Sequence, residues 1–301
     1  MNNDVFNQAV KHLAEPIQAQ MHQAFAQHPF SGQIPASIMA QLLPAQLPSL
    51  LPFAACFAVT PVSDFNVGAL VVGNSGAGYI GANLEFAGQA LGQSVHAEQA
   101  AINNAWLAQE TGIKQLFVNA SPCGHCRQFI REVAGQEALT VQVLSQPDRP
   151  FAELLPDSFG PQDLGNQQAL FQQPTQCFVA VDEPNGEPVG EPIGSPAQYQ
   201  AIIAEANLSY APYTGYYHSL GLQTHDEQWF IGRYSENAAY NPSLPALQSA
   251  LSQLRFAGYG LGDVKTAVLA HRVGQKIDMT NQYKTLLTQL NQLELTVIKL
   301  N

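Results

Sequence analysis

The order of local patterns predicts a layered α/β fold in which one supersecondary plan is used twice, behind a short helical segment. Three observations predict it. From Leu51 to Leu164 the chain reads strands, helix, strand, helix, strand, the alternation that builds an α/β layered domain. From Ala211 onward the order strand, turn, strand, helix, strand returns, which suggests internal duplication. The 301 residues stand at the upper edge of what one core serves, and 46% of them are hydrophobic, enough for packed domains rather than a disordered chain.

The elements follow in chain order. VFNQAVKHLAEPIQAQMHQAFAQ carries apolar residues at helical spacing, and Pro29, Pro35, Pro44 and Pro48 then cut the chain into short pieces. This first segment, residues 1–49, reads as a packing cap: His12, His22 and His28 are not spaced to share a helix face, so they make no helical metal pair. PFAACFAVT and NVGALVVG read as short β runs, and GNSGAG as the hairpin turn that leads into YIGANLEF. GNSGAG lacks the Lys and Ser/Thr of a phosphate loop and precedes a strand, which excludes that use. SVHAEQAAINNAWLAQE reads as a helix with Ser94 as N-cap, KQLFVNA as a strand, SPCGHCRQFIREVAG as a second helix with Pro122 in its first turn, and VQVLS as a further strand. These make a domain over 50–165. Residues 166–196, ending in VDEPNGEPVGEPIGSP, read as a linker with a solvated acidic face. In the second copy, 197–301, APYTGYYHSLGLQ and WFIGRYSENAAYNP flank the turn HDEQ, and SLPALQSALSQLRFAGY and KTAVLAHR supply helix and strand.

Charge narrows the function. Charged residues make up only 12%, and 12 Lys+Arg against 23 Asp+Glu leave a net charge of −11. Such a chain repels the phosphates that dominate nucleic-acid affinity. No apolar run approaches a membrane span, and the N-terminus has no basic start followed by an apolar block, so a cytoplasmic location is expected. Four cysteines, Cys56, Cys123, Cys126 and Cys177, are too few for a disulfide framework in a chain of this length.

The chemistry gathers in the first copy. His96-Ala97-Glu98 opens one helix and Pro122-Cys123-Gly124-His125-Cys126 the next. Two thiolates at i and i+3 can face one ion, and a helix N-terminus favours their ionised form. An imidazole from the neighbouring helix completes three ligands, which leaves one open position, the mark of a catalytic zinc. Glu98 would not share the face of His96 on a regular helix, so it flanks the metal as a proton carrier rather than a ligand. A CxxC redox pair is the first alternative. A structural zinc, with His125, Cys56 or Cys177 as fourth ligand, is the second. HxE at one helix start with PCxxC at the next is the signature of zinc nucleobase deaminases.

On these residues, together with NLEF, the chain resembles the cytidine deaminases of the long-chain, homodimeric bacterial type, within the zinc-dependent cytidine and deoxycytidylate deaminases. The resemblance implies a three-layer α-β-α cytidine-deaminase-like domain, duplicated, that hydrolyses free cytidine and deoxycytidine in pyrimidine salvage. It implies one zinc ion per chain held by His96, Cys123 and Cys126, with Glu98 as catalytic proton shuttle. By charge alone, the helix N-termini beside the cysteines, with Arg127, would offset part of the thiolate charge. The resemblance assigns the ribose hydroxyls to Asn83 and Glu85 and the pyrimidine pocket to Phe65 and Phe159. It further implies a homodimer in which partner-chain residues around Ala239 and Tyr240 close each site.

The second copy departs where chemistry is needed. Pro245 stands where a ligand is expected, Leu247 where the glutamate should be, and no PCxxC follows KTAVLAHR. Two rival functions are thereby weighed. Editing of a base within RNA or DNA conflicts with the charge of −11. A non-catalytic zinc scaffold conflicts with the complete first copy.

Overall fold

The computed structural model describes residues 4–26, 28–181 and 196–301. The chain divides into two compact units: Met1–Gln172 with Asn237–Pro242 and Arg255–Tyr259, and Gln173–Glu236 with Ser243–Leu254 and Gly260–Asn301.

In the first unit, the opening segment folds as α1 (Asp4–Ala9), α2 (Glu15–Ala24) and α3 (Ala36–Met39), with a 3-10 stretch at Pro44–Leu50 and the short strand β1 (Gln33–Ile34). Its aromatic side chains build a core: Phe6, Phe30, Phe53 and Phe57 are buried, and Phe57 meets Phe256 edge to face with ring centroids 5.7 Å apart. PFAACFAVT differs from the expected strand. Leu51–Ala55 forms helix α4, because Pro52 suits a first helical turn and Phe53, Ala54 and Phe57 then point into that core. Val59 makes only an isolated bridge to Leu84. Gly68 lets α4 lie directly on the sheet, since a Cβ there would sit 2.5 Å from the Leu51 carbonyl oxygen and 2.6 Å from the Ala55 nitrogen.

The remaining strands and helices of this unit are β2 (Gly68–Gly73), β3 (Gly78–Ala82), α5 (Ala97–Leu107), β4 (Ile113–Val118), α6 (Gly124–Ile130), β5 (Thr140–Val143), β6 (Arg149–Pro150) and α7 (Phe151–Leu154). GNSGAG is the β2–β3 hairpin turn, with Gly76 at φ +87°. The sheet runs β1-β3-β2-β4-β5-β6. β2 is antiparallel to β3 and β4, and β4 is parallel to β5. The α6 crossover therefore joins parallel neighbours, as such a pair requires.

The second unit contains α8 (Pro196–Asn207), β7 (His218–Thr224), β8 (Trp229–Arg233), α9 (Ala246–Phe256, whose last residues belong to the first unit), β9 (Val264–Arg272), α10 (Thr280–Asn291) and β10 (Leu295–Leu300). Its sheet, β10-β9-β7-β8, repeats β5-β4-β2-β3 in order and direction: β7 is antiparallel to β8 and β9, and β9 is parallel to β10. Even the irregularity recurs, after Val72 in β2 and after Gln223 in β7. The duplication expected from the sequence is therefore present at the level of strand register. Of the stretch read as a linker, 182–195 lies outside the described residues, while Leu170 pairs with Val133 and Phe178 donates its N–H to the Asn207 side chain.

Candidate metal centre and active site

His96 is the N-cap of α5, with extended backbone at φ −89° and ψ 151°. This corrects the assignment of the cap to Ser94, whose hydroxyl instead donates to the Leu91 carbonyl. It also shows how His96 and Glu98 can face the same side. Because His96 stands outside the helix, the two side chains escape the helical rotation that would separate them. Cys123 is likewise the N-cap of α6, so Pro122 lies before the helix rather than in its first turn.

The two caps face each other. Cys123 Sγ and Cys126 Sγ are 3.6 Å apart, and His96 Nδ1 lies 3.5 Å from the first and 3.3 Å from the second. A tetrahedral zinc with bonds of about 2.3 Å to sulfur and about 2.0 Å to nitrogen needs ligand separations of about 3.8 Å between sulfurs and about 3.5 Å between sulfur and nitrogen. The three donors meet those edges within a few tenths of an ångström and leave the fourth vertex free. His125 is the next nearest donor: with His96 and Cys126 it forms a set whose atoms lie within 4.8 Å of one another, and its ring is 4.9 Å from that of His96. That spread is wider than a bonded edge, so the tighter triplet fits the ion better.

The protonation pattern suits a cation. The hydrogen bond from Cys126 pulls the Cys123 thiol down to about 4, and the same bond, with burial, pushes Cys126 up. Two sulfurs that share a proton in this way release it to an incoming metal. Glu98 is buried, 4% exposed. Burial pushes its carboxyl up, against the pull of its own backbone N–H, the Cys126 thiol and the His96 ring. A carboxyl held above its usual range beside a metal site is better suited to take and return protons than an ordinary one.

The other expected site residues are placed less centrally. Asn83 spans the backbone of the preceding loop, accepting from Val67 N–H at 2.8 Å and donating to the Phe65 carbonyl at 3.0 Å. Glu85 accepts the backbone N–H groups of Val62 and Ser63, each at 3.0 Å, and the Ser63 hydroxyl. Partial desolvation raises its carboxyl, but these donors outweigh it and leave the group below its usual range. Leu84, between them, pairs with Val95, next to His96, so the NLEF segment runs alongside the metal donors. Phe65 and Phe159 are 59% and 46% exposed, so neither is a core side chain. Arg127 does not turn to the thiols: it donates to the carbonyls of Pro122 and Leu154, at 2.8 Å each, and so braces the turn that presents Cys123.

Residues that the sequence did not single out complete the setting. Gln99 accepts the His96 N–H and donates to the Pro242 carbonyl at 2.9 Å. Asn237 donates to the Gln128 carbonyl at 2.9 Å, and Ala238 N–H to the Glu132 carboxyl at 3.0 Å. The segment Asn237–Pro242 thus packs against α5 and α6 of its own chain, which differs from the expectation that Ala239 and Tyr240 serve the site of a partner chain. These partners are 143 and 109 residues apart for Gln99 and Gln128, beyond any local pattern.

The register of the second copy tests its expected degeneracy. The bridge of Leu84 to Val95 has its counterpart in Ser235 and Leu244. One residue beyond each places Pro245 in the position of His96, and Leu247 in that of Glu98. Neither side chain offers a donor.

Comparison with known proteins gives a consistent result. Two family models, both described as the cytidine and deoxycytidylate deaminase zinc-binding region, match residues 49–142 and 151–284. The chain is 39% identical over 291 residues to the cytidine deaminase of Vibrio parahaemolyticus, covering 94% of this chain and 95% of that one. It is 42% identical over 243 residues to that of Vibrio vulnificus, covering 81% and 78%. With the cytidine deaminase of Aeromonas hydrophila it shares 43% over 251 residues, covering 82% and 80%. A solved cytidine deaminase from Burkholderia pseudomallei, 28% identical, covers 39% of this chain and 100% of its own with a TM-score of 0.35.

Proposed function

The chain belongs to the cytidine and deoxycytidylate deaminase family, and on that premise we propose that it hydrolyses free cytidine and deoxycytidine to uridine and deoxyuridine with release of ammonia. The observation that carries the proposal is the convergence of His96, Cys123 and Cys126 beside the buried Glu98. These three residues would hold one zinc ion per chain. When bound, zinc supplies the Lewis acidity that brings water from a pKa of about 15.7 to about 7.

The chain's own residues do the rest. Glu98 takes a proton from the water that attacks the amino-bearing carbon and passes it to the adjacent ring nitrogen. It then carries the remaining hydroxyl proton to the amine, which leaves as ammonia, so one water is consumed for each ammonia formed. Burial serves this role because a carboxyl raised above its usual range both accepts and returns a proton. Asn83 and Glu85 bind the ribose hydroxyls: each is held rigid by the 62–67 loop and keeps unused hydrogen-bonding capacity. Phe65 and Phe159 line the pyrimidine pocket, a role their exposure in the free protein allows.

The catalytic domain is 50–165. Residues 1–49 pack, 166–196 link, and 197–301 carry no chemistry of their own. The protein acts as a cytoplasmic homodimer in pyrimidine salvage and leaves nucleic acid alone, in keeping with its charge of −11. Among the described residues no helix is long and apolar enough to cross a membrane. The test is the ultraviolet spectrum of cytidine, and separately of deoxycytidine, mixed with zinc-loaded protein. Conversion to the uridine spectrum supports the proposal, and an unchanged spectrum for both nucleosides overturns it.

A further inference from the structure

Two exposed aromatic residues are tethered to one side chain of α6. Gln128 Nε2 donates to the Phe159 carbonyl at 2.9 Å. The same nitrogen lies 3.4 Å from Asn237 Oδ1, and Asn237 Nδ2 donates back to the Gln128 carbonyl. Asn237 is fully buried, and its Oδ1 also accepts the Ala239 N–H at 3.0 Å, which shapes the turn that follows. That turn presents Tyr240, 63% exposed, with a left-handed backbone at φ +62°. A non-glycine residue in this region is held there at a cost, which points to a use for its position. Further bonds fix the rest of the segment: Ala238 N–H to Glu132, and the Pro242 carbonyl to Gln99, whose other end holds His96. The backbone of Asn241 meets the His125 ring, which lies against that of His96. The segments that carry Phe159 and Tyr240 are thus both fastened to the helix that begins at Cys123.

We propose that Gln128 is a positioning residue for the reaction: one carboxamide sets the segment carrying Phe159 and the segment carrying Tyr240 together, and through them governs how firmly substrate is held. Gln128 need not touch substrate. The proposal rests on the deaminase reading for its kinetic consequence, whereas its structural part stands apart from any activity. It also gives the second copy a use, because Asn237–Pro242 comes from the sequence of that copy while packing in the first unit.

The test combines steady-state kinetics with hydrogen–deuterium exchange on the full-length, zinc-loaded protein and on Gln128→Met, which keeps the volume and removes the amide. Exchange should quicken at 157–160 and at 237–242 together. KM for cytidine should rise about tenfold while kcat stays within about twofold and zinc content is unchanged, the mark of lost binding rather than lost chemistry. Gln128→Ala serves as a second variant should Met fail to fold, and Asn237→Ala should add little to either, because the two residues act as one unit. A variant that melts earlier with KM unchanged, or that loosens only one segment, would overturn the proposal. If wild-type protein leaves cytidine untouched, the deaminase reading fails, and the exchange result alone decides whether Gln128 joins the two segments.

Discussion

Glu98 and His218 show opposite uses of a buried ionisable side chain. Glu98 lies beside His96 and Cys126, where burial raises its carboxyl, as the proposed proton carrier requires. Glu98→Gln keeps the shape and removes the titrating group. Turnover of cytidine should fall by about 10²–10⁴-fold while zinc content stays at the wild-type level; near-normal turnover would remove Glu98 from the reaction. His218, in β7, is fully buried, with Nδ1 2.8 Å from the Tyr216 carbonyl and Nε2 2.8 Å from the Tyr283 hydroxyl. A carbonyl only accepts, so Nδ1 carries the hydrogen and Nε2 accepts from Tyr283, which is the neutral imidazole. Burial is the main cause that holds its pKa down to about 3; the nearby His271 adds to it, and the Tyr216 carbonyl and Asp278 oppose it. Tyr234 stacks on its ring. The folded pKa lies below the unfolded value of about 6.5, so the stabilisation is complete above that value and is lost as pH falls toward 3. Chemical denaturation should show wild type losing about 3 kcal/mol more than His218→Gln between about pH 7 and pH 4. Parallel pH profiles for the two proteins would contradict this account of His218.

At the scale of the elements, close packing of one helix on one strand recurs in both copies. Gly81 of β3 faces the backbone of α5 so closely that an added Cβ would collide with the Ala97 carbonyl and the Ala101 nitrogen. Gly232 of β8 stands in the same relation to Ala246 and Ala250 of α9. These neighbours are backbone atoms, so no rotamer relieves the clash, and α5 would have to move with His96 and Glu98 attached. Gly81→Ala should cost about 3 kcal/mol in urea unfolding and lower zinc affinity, whereas Gly92→Ala, with open space around it, should stay within about 0.5 kcal/mol. Equal midpoints for the two would show that α5 does not lie where the structure has it. Such elements were legible where period and length agreed: VHAEQAAINNAWL, KQLFV and the GNSGAG turn all follow local rules. PFAACFAVT misled because Phe, Ala and Val suit either state in so short a run, and tertiary burial of Phe53 and Phe57 decided for helix. α10 follows the same rule of period and length, with Tyr283, Leu286 and Leu287 buried at helical spacing. The metal donors were legible because two short motifs carry them, whereas Gln99, Gln128 and Asn237 act through contacts between distant stretches.

For the whole molecule, the proposed chemistry lies in one of two copies that share a sheet plan. The repeated strand order and bridges show a common design. Pro245 and Leu247 stand in the second copy where the first has His96 and Glu98, while Asn237–Pro242 from that same copy packs in the first unit. A single zinc per chain, necessary and sufficient for turnover, is the central claim. The most direct measurement is a titration of chelator-stripped protein with zinc, with cytidine turnover and bound metal followed on the same samples. Turnover should be absent without metal, rise linearly and reach its maximum at one zinc per chain. A maximum at two zinc ions per chain, or full turnover by the stripped protein, would contradict it.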